Sequence, residues 1–87
     1  MKKIIFSSHA LLRMEEREID EDLVIEAIGS PDKIEKSESS HSKFLVKKLY
    51  FNQQIKAEHL LMIFIEDNPT FLKVITVIDT SKISKYF

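Results

Sequence analysis

The sequence predicts an α+β domain in which two N-terminal helices pack on a small antiparallel β-sheet, followed by a short C-terminal helix or tail. Three observations predict it. Residues 7–31 carry apolar side chains at helical spacing, bracketed by helix start and stop residues. From Lys33 the period becomes extended, and two apolar runs, Leu60–Ile65 and Phe71–Asp79, flank the turn formers Glu66-Asp67-Asn68-Pro69-Thr70. No repeat, linker or low-complexity tract interrupts the 87 residues, too few for two cores, so residues 1–87 read as one domain.

Each element has its own signals. Lys2–Phe6 reads as a short strand or a lead-in that packs Ile4 or Phe6 against the first helix. Ser7 or Ser8 supplies an N-cap hydroxyl, the first helix begins near His9, and it ends near Glu18. Asp20 caps the second helix, and Glu21 and Asp22 place negative charge in its first turn, where the helix dipole favours it. Leu23, Val24, Ala27 and Ile28 form its apolar stripe; Gly29 offers a left-handed C-cap and Pro31 prevents continuation. Lys33–Glu38 reads as a charged edge strand, Ser39–Ser42 as a turn, Lys43–Phe51 as a half-buried strand and Asn52–Lys56 as the next turn. Leu60–Ile65 is apolar at every position, as in a strand covered on both faces, and one of its two alternating sets must meet Leu23, Ala27 and Ile28. In Phe71–Asp79, simple alternation puts Leu72, Val74, Thr76 and Ile78 on one face. Ser81–Phe87 closes the chain with Lys82, Lys85 and Tyr86.

Composition narrows the chemistry. With no Cys, structural disulfides, thiolate catalysis and cysteine-based metal sites are excluded, which fits a cytoplasmic protein. The apolar run after Met1-Lys2-Lys3 is three residues long, against the ~7–15 of a secretory signal. No run approaches the ~20 residues of a membrane span, so no membrane partner is expected. The formal net charge of −1 excludes a uniformly basic nucleic-acid binder. Residues 1–30 carry four cations against seven acids, and the remainder nine Lys against seven acids. Any phosphate-binding patch must therefore be local.

The first helix holds such a patch. At about 100° per residue with His9 at the origin, Arg13 falls near 40°, Arg17 near 80° and Glu16 near 340°, beside an apolar sector of Ala10, Leu11 and Met14 between about 100° and 200°. One face thus gathers an imidazole, the side chain whose ordinary pKa lies near neutrality, and two guanidiniums that never lose their charge. Metal-free RNA cleavage needs a base for the 2′-hydroxyl, cations for the phosphorane charge and an acid for the leaving 5′-oxygen. His9 suits the base or the acid, and Arg13 and Arg17 suit the phosphate oxygens. Lys82 and Tyr86 are the candidates to complete the site from the C-terminal end. The competing reading is a solvated helix face in which His9 bonds a carbonyl and the Arg side chains pair with Glu16, Asp20 or Glu21, worth only ~0.2–0.5 kcal/mol per helical pair. His41 lies in a Ser-rich turn and His59, opening an apolar strand, reads as a packing or edge residue. No two His stand at metal-ligand spacing, so neither a metal nor a cofactor is expected. Phe44, Tyr50, Phe51, Phe64 and Phe71 read as core aromatics.

His9-Ala10-x-x-Arg13-Met14-x-x-Arg17-x-Ile19, the second helix ending before Pro31-Asp32, and the Val74-Ile75-Thr76-Val77 strand followed by Ser81-Lys82-Ile83 resemble small bacterial uncharacterised domains related to the RelE and BrnT toxins of toxin–antitoxin pairs. The resemblance spans nearly the whole chain and is most specific in the first helix. It implies a RelE/BrnT-like fold, metal-independent cleavage of RNA, often on the ribosome, and an antitoxin partner. Two positions depart from that pattern. Glu18 stands where such proteins usually have Gly, and Asp79-Thr80-Ser81 precedes Lys82 where they often carry a further basic residue. The expectation is a toxin-type ribonuclease or a degenerate relative of one, with His9, Arg13, Arg17, Lys82 and Tyr86 as its site. The alternative is a non-catalytic domain that binds a partner protein through a sheet edge or helix face.

Overall fold

The computed structural model describes residues 2–87. Five strands form one sheet in the order β1-β5-β4-β3-β2: β1 (Lys3–Phe6), β2 (Lys33–Lys36), β3 (Lys43–Asn52), β4 (Ala57–Asp67) and β5 (Phe71–Thr80). Helices α1 (Ser8–Arg17) and α2 (Glu21–Gly29) connect β1 to β2, and α3 (Ile83–Tyr86) follows β5. The class is α+β, as expected. The sheet, however, is mixed and not purely antiparallel: β1 lies parallel to β5, pairing Lys3 with Phe71 and Phe6 with Val74. Hairpins force β3, β4 and β5 to alternate direction, and β2 pairs antiparallel with β3. No hairpin joins β1 to a strand; its chain crosses the sheet through two helices, and apolar alternation carries no information about strand direction.

The main core lies between the helices and one face of the sheet. Ala10, Met14, Ile19, Val24 and Ala27 meet Val46, Leu61, Ile63, Ile65, Val74 and Val77, all buried, with Leu23 and Ile28 packed at the margin. Leu61, Ile63 and Ile65 are therefore the helix-facing set of β4. Leu60 and Met62 point to the other face and are buried as well. Lys47, the cross-strand partner of Met62, lies on that second face, and its ammonium donates to the Tyr86 carbonyl and to Glu35 Oε2. The Lys33 ammonium donates to the Phe87 carbonyl. These contacts seat α3 across the sheet from α1 and α2.

Local chemistry explains how α1 is held. Ser7 is its N-cap: Oγ accepts from the Ala10 amide at 3.0 Å and donates to the Ile75 carbonyl at 2.7 Å, while the Ser7 amide donates to the Val74 carbonyl at 3.0 Å. One serine both starts the helix and ties it to β5. At the other end, Glu18 takes a left-handed conformation with φ 54°. Its amide donates to the Glu15 carbonyl, and the Ile19 amide donates to the Met14 carbonyl at 2.8 Å. That pair of bonds, closed by buried Met14 and Ile19, is a Schellman motif. α2 ends differently from expectation. Gly29 is its last helical residue and has no positive φ; Ser30 closes the helix at φ −145°, donating to the Glu26 carbonyl. Pro31 disfavours helical backbone at the residue before it, so the chain leaves in extended form with no left-handed turn.

A bulge alters the last strand. Phe64 pairs with Thr76 and Ile65 with Val74, leaving Ile75 unmatched. Beyond it the alternation is inverted. Val77 and Asp79 join Val74 and Leu72 on the helix side, and Thr76 and Ile78 fall on the other face, so the four-residue face expected from simple alternation is split.

Candidate functional site

His9, Arg13 and Arg17 stand one turn apart on the exposed side of α1 and line a single cavity of about 380 Å³. Its opposite wall is β5 from Thr76 to Asp79. The arrangement follows from what has just been described: Ser7 fixes α1 against β5, Ala10 and Met14 sink into the core, and the helical spacing leaves the three cationic side chains along one rim. Arg13 Nη1 lies 3.5 Å from Glu16 Oε1, both side chains about half exposed. His9 makes no side-chain hydrogen bond, and Arg17 makes no ion pair, among the described residues. Leu11, expected in the apolar sector, is instead 44% exposed; within α1 only Ala10 and Met14 are buried.

Two of the five expected site residues do not join this cavity. Lys82 caps the start of α3 and Tyr86 ends it; neither lines the cavity. The attachment of α3 to Lys47 and Lys33 carries it to the second face, which the length of the turn after Thr80 permits and the sequence pattern alone did not exclude.

The structure adds three residues in their place. Asp79 lines the cavity, and its carboxylate accepts the Tyr50 hydroxyl at 2.6 Å on Oδ1. His59 Nδ1 lies 3.1 and 3.0 Å from Asp79 Oδ1 and Oδ2. The His59 and Asp79 side chains are only 9% and 11% exposed, so their ion pair is shielded from solvent when His59 is protonated. Tyr50 and His59 are direct cross-strand partners with rings edge to face, 6.3 Å between centroids. Burial, together with the hydrogen bond and charge of Asp79, pushes the Tyr50 phenol above its ordinary value of 10.0, so it remains a hydroxyl donor at all physiological pH. His59 is thus a buried residue, as its place at the head of an apolar run suggested, but one held in a polar network. A signal was available in the hairpin: a turn over residues 53–56 sets Tyr50 opposite His59. Asp79 had none, since only the bulge at Ile75 turns it toward the helices.

No curated protein and no solved structure matches the chain. One family model does, over residues 6–79, a stretch that contains His9, Arg13, Arg17, Tyr50, His59 and Asp79 and stops short of α3. The chain belongs to that family, described as a domain of unknown function (DUF4258).

Proposed function

We propose that this protein is a toxin-type domain of the RelE/BrnT kind that binds RNA in the α1–β5 cavity and cleaves it as a metal-independent ribonuclease. The observation that carries the reading is that His9, Arg13 and Arg17 line one open cavity. Two guanidinium forks match the non-bridging oxygens of a phosphodiester, and an imidazole beside them can move a proton at neutral pH. The Arg13–Glu16 pair does not stand against this. An exposed helical pair spaced three apart stabilises by ~0.2–0.5 kcal/mol, whereas a hydrogen bond to a charged phosphate contributes ~1.5–3 kcal/mol, so Arg13 exchanges one for the other. In this reading the protein works in the cytoplasm, on free or ribosome-bound RNA, and an antitoxin protein restrains it. The test is expression in a bacterial host together with incubation of the purified protein with RNA. Growth arrest and RNA cleavage, both removed by His9→Ala or Arg13→Ala, are the expected results; arrest and cleavage that survive both substitutions would refute the assignment.

A second reading rests on a different observation. Leu11 and Leu12 of α1 and Ile25 of α2 are between 43% and 54% exposed. An apolar helix surface of this kind suits a protein partner, either an antitoxin or the partner of a non-catalytic interaction domain. Cleavage-negative protein that still recovers a specific partner, lost in Leu12→Glu, would favour the interaction domain.

A further inference from the structure

His9, Arg13 and Arg17 share the α1–β5 cavity with Asp79, the one acidic residue among the described residues that line it. A carboxylate in the wall of an anion site works against the anion, and how strongly depends on what stands behind it. Tyr50 donates to Asp79 Oδ1 at 2.6 Å, and His59 Nδ1 lies 3.1 and 3.0 Å from Oδ1 and Oδ2. Of these two partners only one can change charge. Burial and the Asp79 carboxylate hold the Tyr50 proton in place, whereas an imidazole is the side chain whose ordinary pKa lies near neutrality. A carboxylate only accepts, so Nδ1 carries a proton in either state of the ring. Protonation of His59 therefore adds a positive charge beside Asp79 without breaking a bond. The His59 and Asp79 side chains are both almost wholly buried, so solvent screens this change little.

An asparagine amide or a second hydroxyl would satisfy the same oxygens, but neither would make the charge of the wall depend on pH. We propose that His59 is a proton switch on the α1–β5 cavity: its protonation cancels the charge of Asp79 and strengthens the binding of a phosphodiester there, an inference that rests on the phosphate-binding part of the ribonuclease reading. His59 touches no ligand. It acts through the field of Asp79, which stands between it and the cavity. The coupling is reciprocal. A bound phosphate adds negative charge on the cavity side of Asp79, favours the imidazolium and so raises the pH at which His59 titrates. Affinity is therefore full below the His59 midpoint and falls as pH rises through it. His9, on the cavity itself, contributes a pH dependence of the same sign and has to be read separately. The titratable and charged groups around His59 are Tyr50 from β3, Asp79 from β5, and His9, Arg13 and Arg17 across Asp79 from α1. On the other side of Tyr50 lie Lys48 from β3, Glu18 and Asp20 from the α1–α2 turn and Glu26 from α2.

The test follows the His9, His41 and His59 imidazoles of the wild-type protein by NMR over ~pH 5–8, the range in which an ordinary imidazole titrates. It is run with and without a short 2′-deoxyuridine oligonucleotide at fixed ionic strength. The phosphodiesters of that probe keep a constant charge over the range, and without a 2′-hydroxyl it is not cut. The expected result is a His59 midpoint raised by ~0.7–1 pH unit on binding, the counterpart of an affinity ~5–10-fold higher at the acid end. His41, in the turn between β2 and β3 and outside the cavity, keeps its midpoint. In Asp79→Asn the wall loses its charge, so affinity at the alkaline end rises toward the acid-end value and the pH dependence that remains is that of His9. An oligonucleotide that binds and shifts His9 while the His59 midpoint stays fixed overturns the switch and leaves the phosphate site standing. So does a His59 that does not titrate in this range. A protein that binds no oligonucleotide removes the phosphate site, and the switch with it. Should Asp79→Asn not fold, the His59 midpoint in wild type decides alone.

Discussion

At the scale of single residues, Glu18 and Tyr50 each couple a local conformation or charge to the site. Glu18 closes α1 in the left-handed region, where a side chain costs energy that glycine does not incur, and it adds an acidic residue directly after Arg17 in the chain. Glu18→Gly is expected to raise stability by up to ~1 kcal/mol and to tighten binding of inorganic phosphate severalfold at low salt. Thermal melts and a phosphate titration check the two effects separately. Tyr50 titrates above its ordinary value of 10.0 in the folded protein. A raised folded-state value means that its contribution is complete below pH 10 and is lost as pH climbs above it, when the unfolded chain ionises first. Urea midpoints should therefore fall faster above pH 10 in wild type than in Tyr50→Phe. Equal slopes would show that the phenol is not held by Asp79.

At the scale of elements, α1 supplies three of the residues that line the candidate site, and a single serine ties it to β5. Ser7→Ala removes a cap hydrogen bond and a bond to the Ile75 carbonyl, so a loss of ~1–3 kcal/mol is expected in chemical unfolding. RNA binding should weaken more than stability alone explains, because His9, Arg13 and Arg17 move with the helix; unaltered affinity in folded Ser7→Ala would contradict that link. α1 was also the most legible element. Its cap, its buried Ala10 and Met14, and its cationic rim all follow from spacing over ten residues. β5 was legible as a strand but not in its facing, because the unmatched Ile75 inverts the alternation after Val74 and no composition signal marks it. For that reason Asp79 was hidden, whereas His59 was readable from the turn that sets it opposite Tyr50, and the contacts of α3 with Lys47 and Lys33 take Lys82 and Tyr86 to the other face. The direction of β1 was equally hidden, since Ile4 and Phe6 alternate the same way in either orientation.

At the scale of the whole molecule, the fold is a thin sheet with one well-filled face. Ile63, fully buried at its centre, is the residue on which that face depends. Ile63→Asp places an unpaired carboxylate there at a cost of several kcal/mol against a total stability of ~5–15 kcal/mol, so the chain should lose its cooperative transition in circular dichroism. The net charge of −1 says that the molecule as a whole does not attract RNA. In the proposed reading the affinity comes from the α1–β5 cavity, where two guanidiniums and an imidazole outweigh one carboxylate shared with Tyr50 and His59. The most direct measurement of that claim is the affinity for a short single-stranded RNA at several salt concentrations, in wild type and in Arg17→Ala, with the His9 imidazole followed by NMR. Two phosphate contacts predict a log–log slope of about −1.4, falling to about −0.7 in the variant, with His9 shifting on binding. A slope that Arg17→Ala leaves unchanged, or a His9 signal indifferent to RNA, would contradict the account.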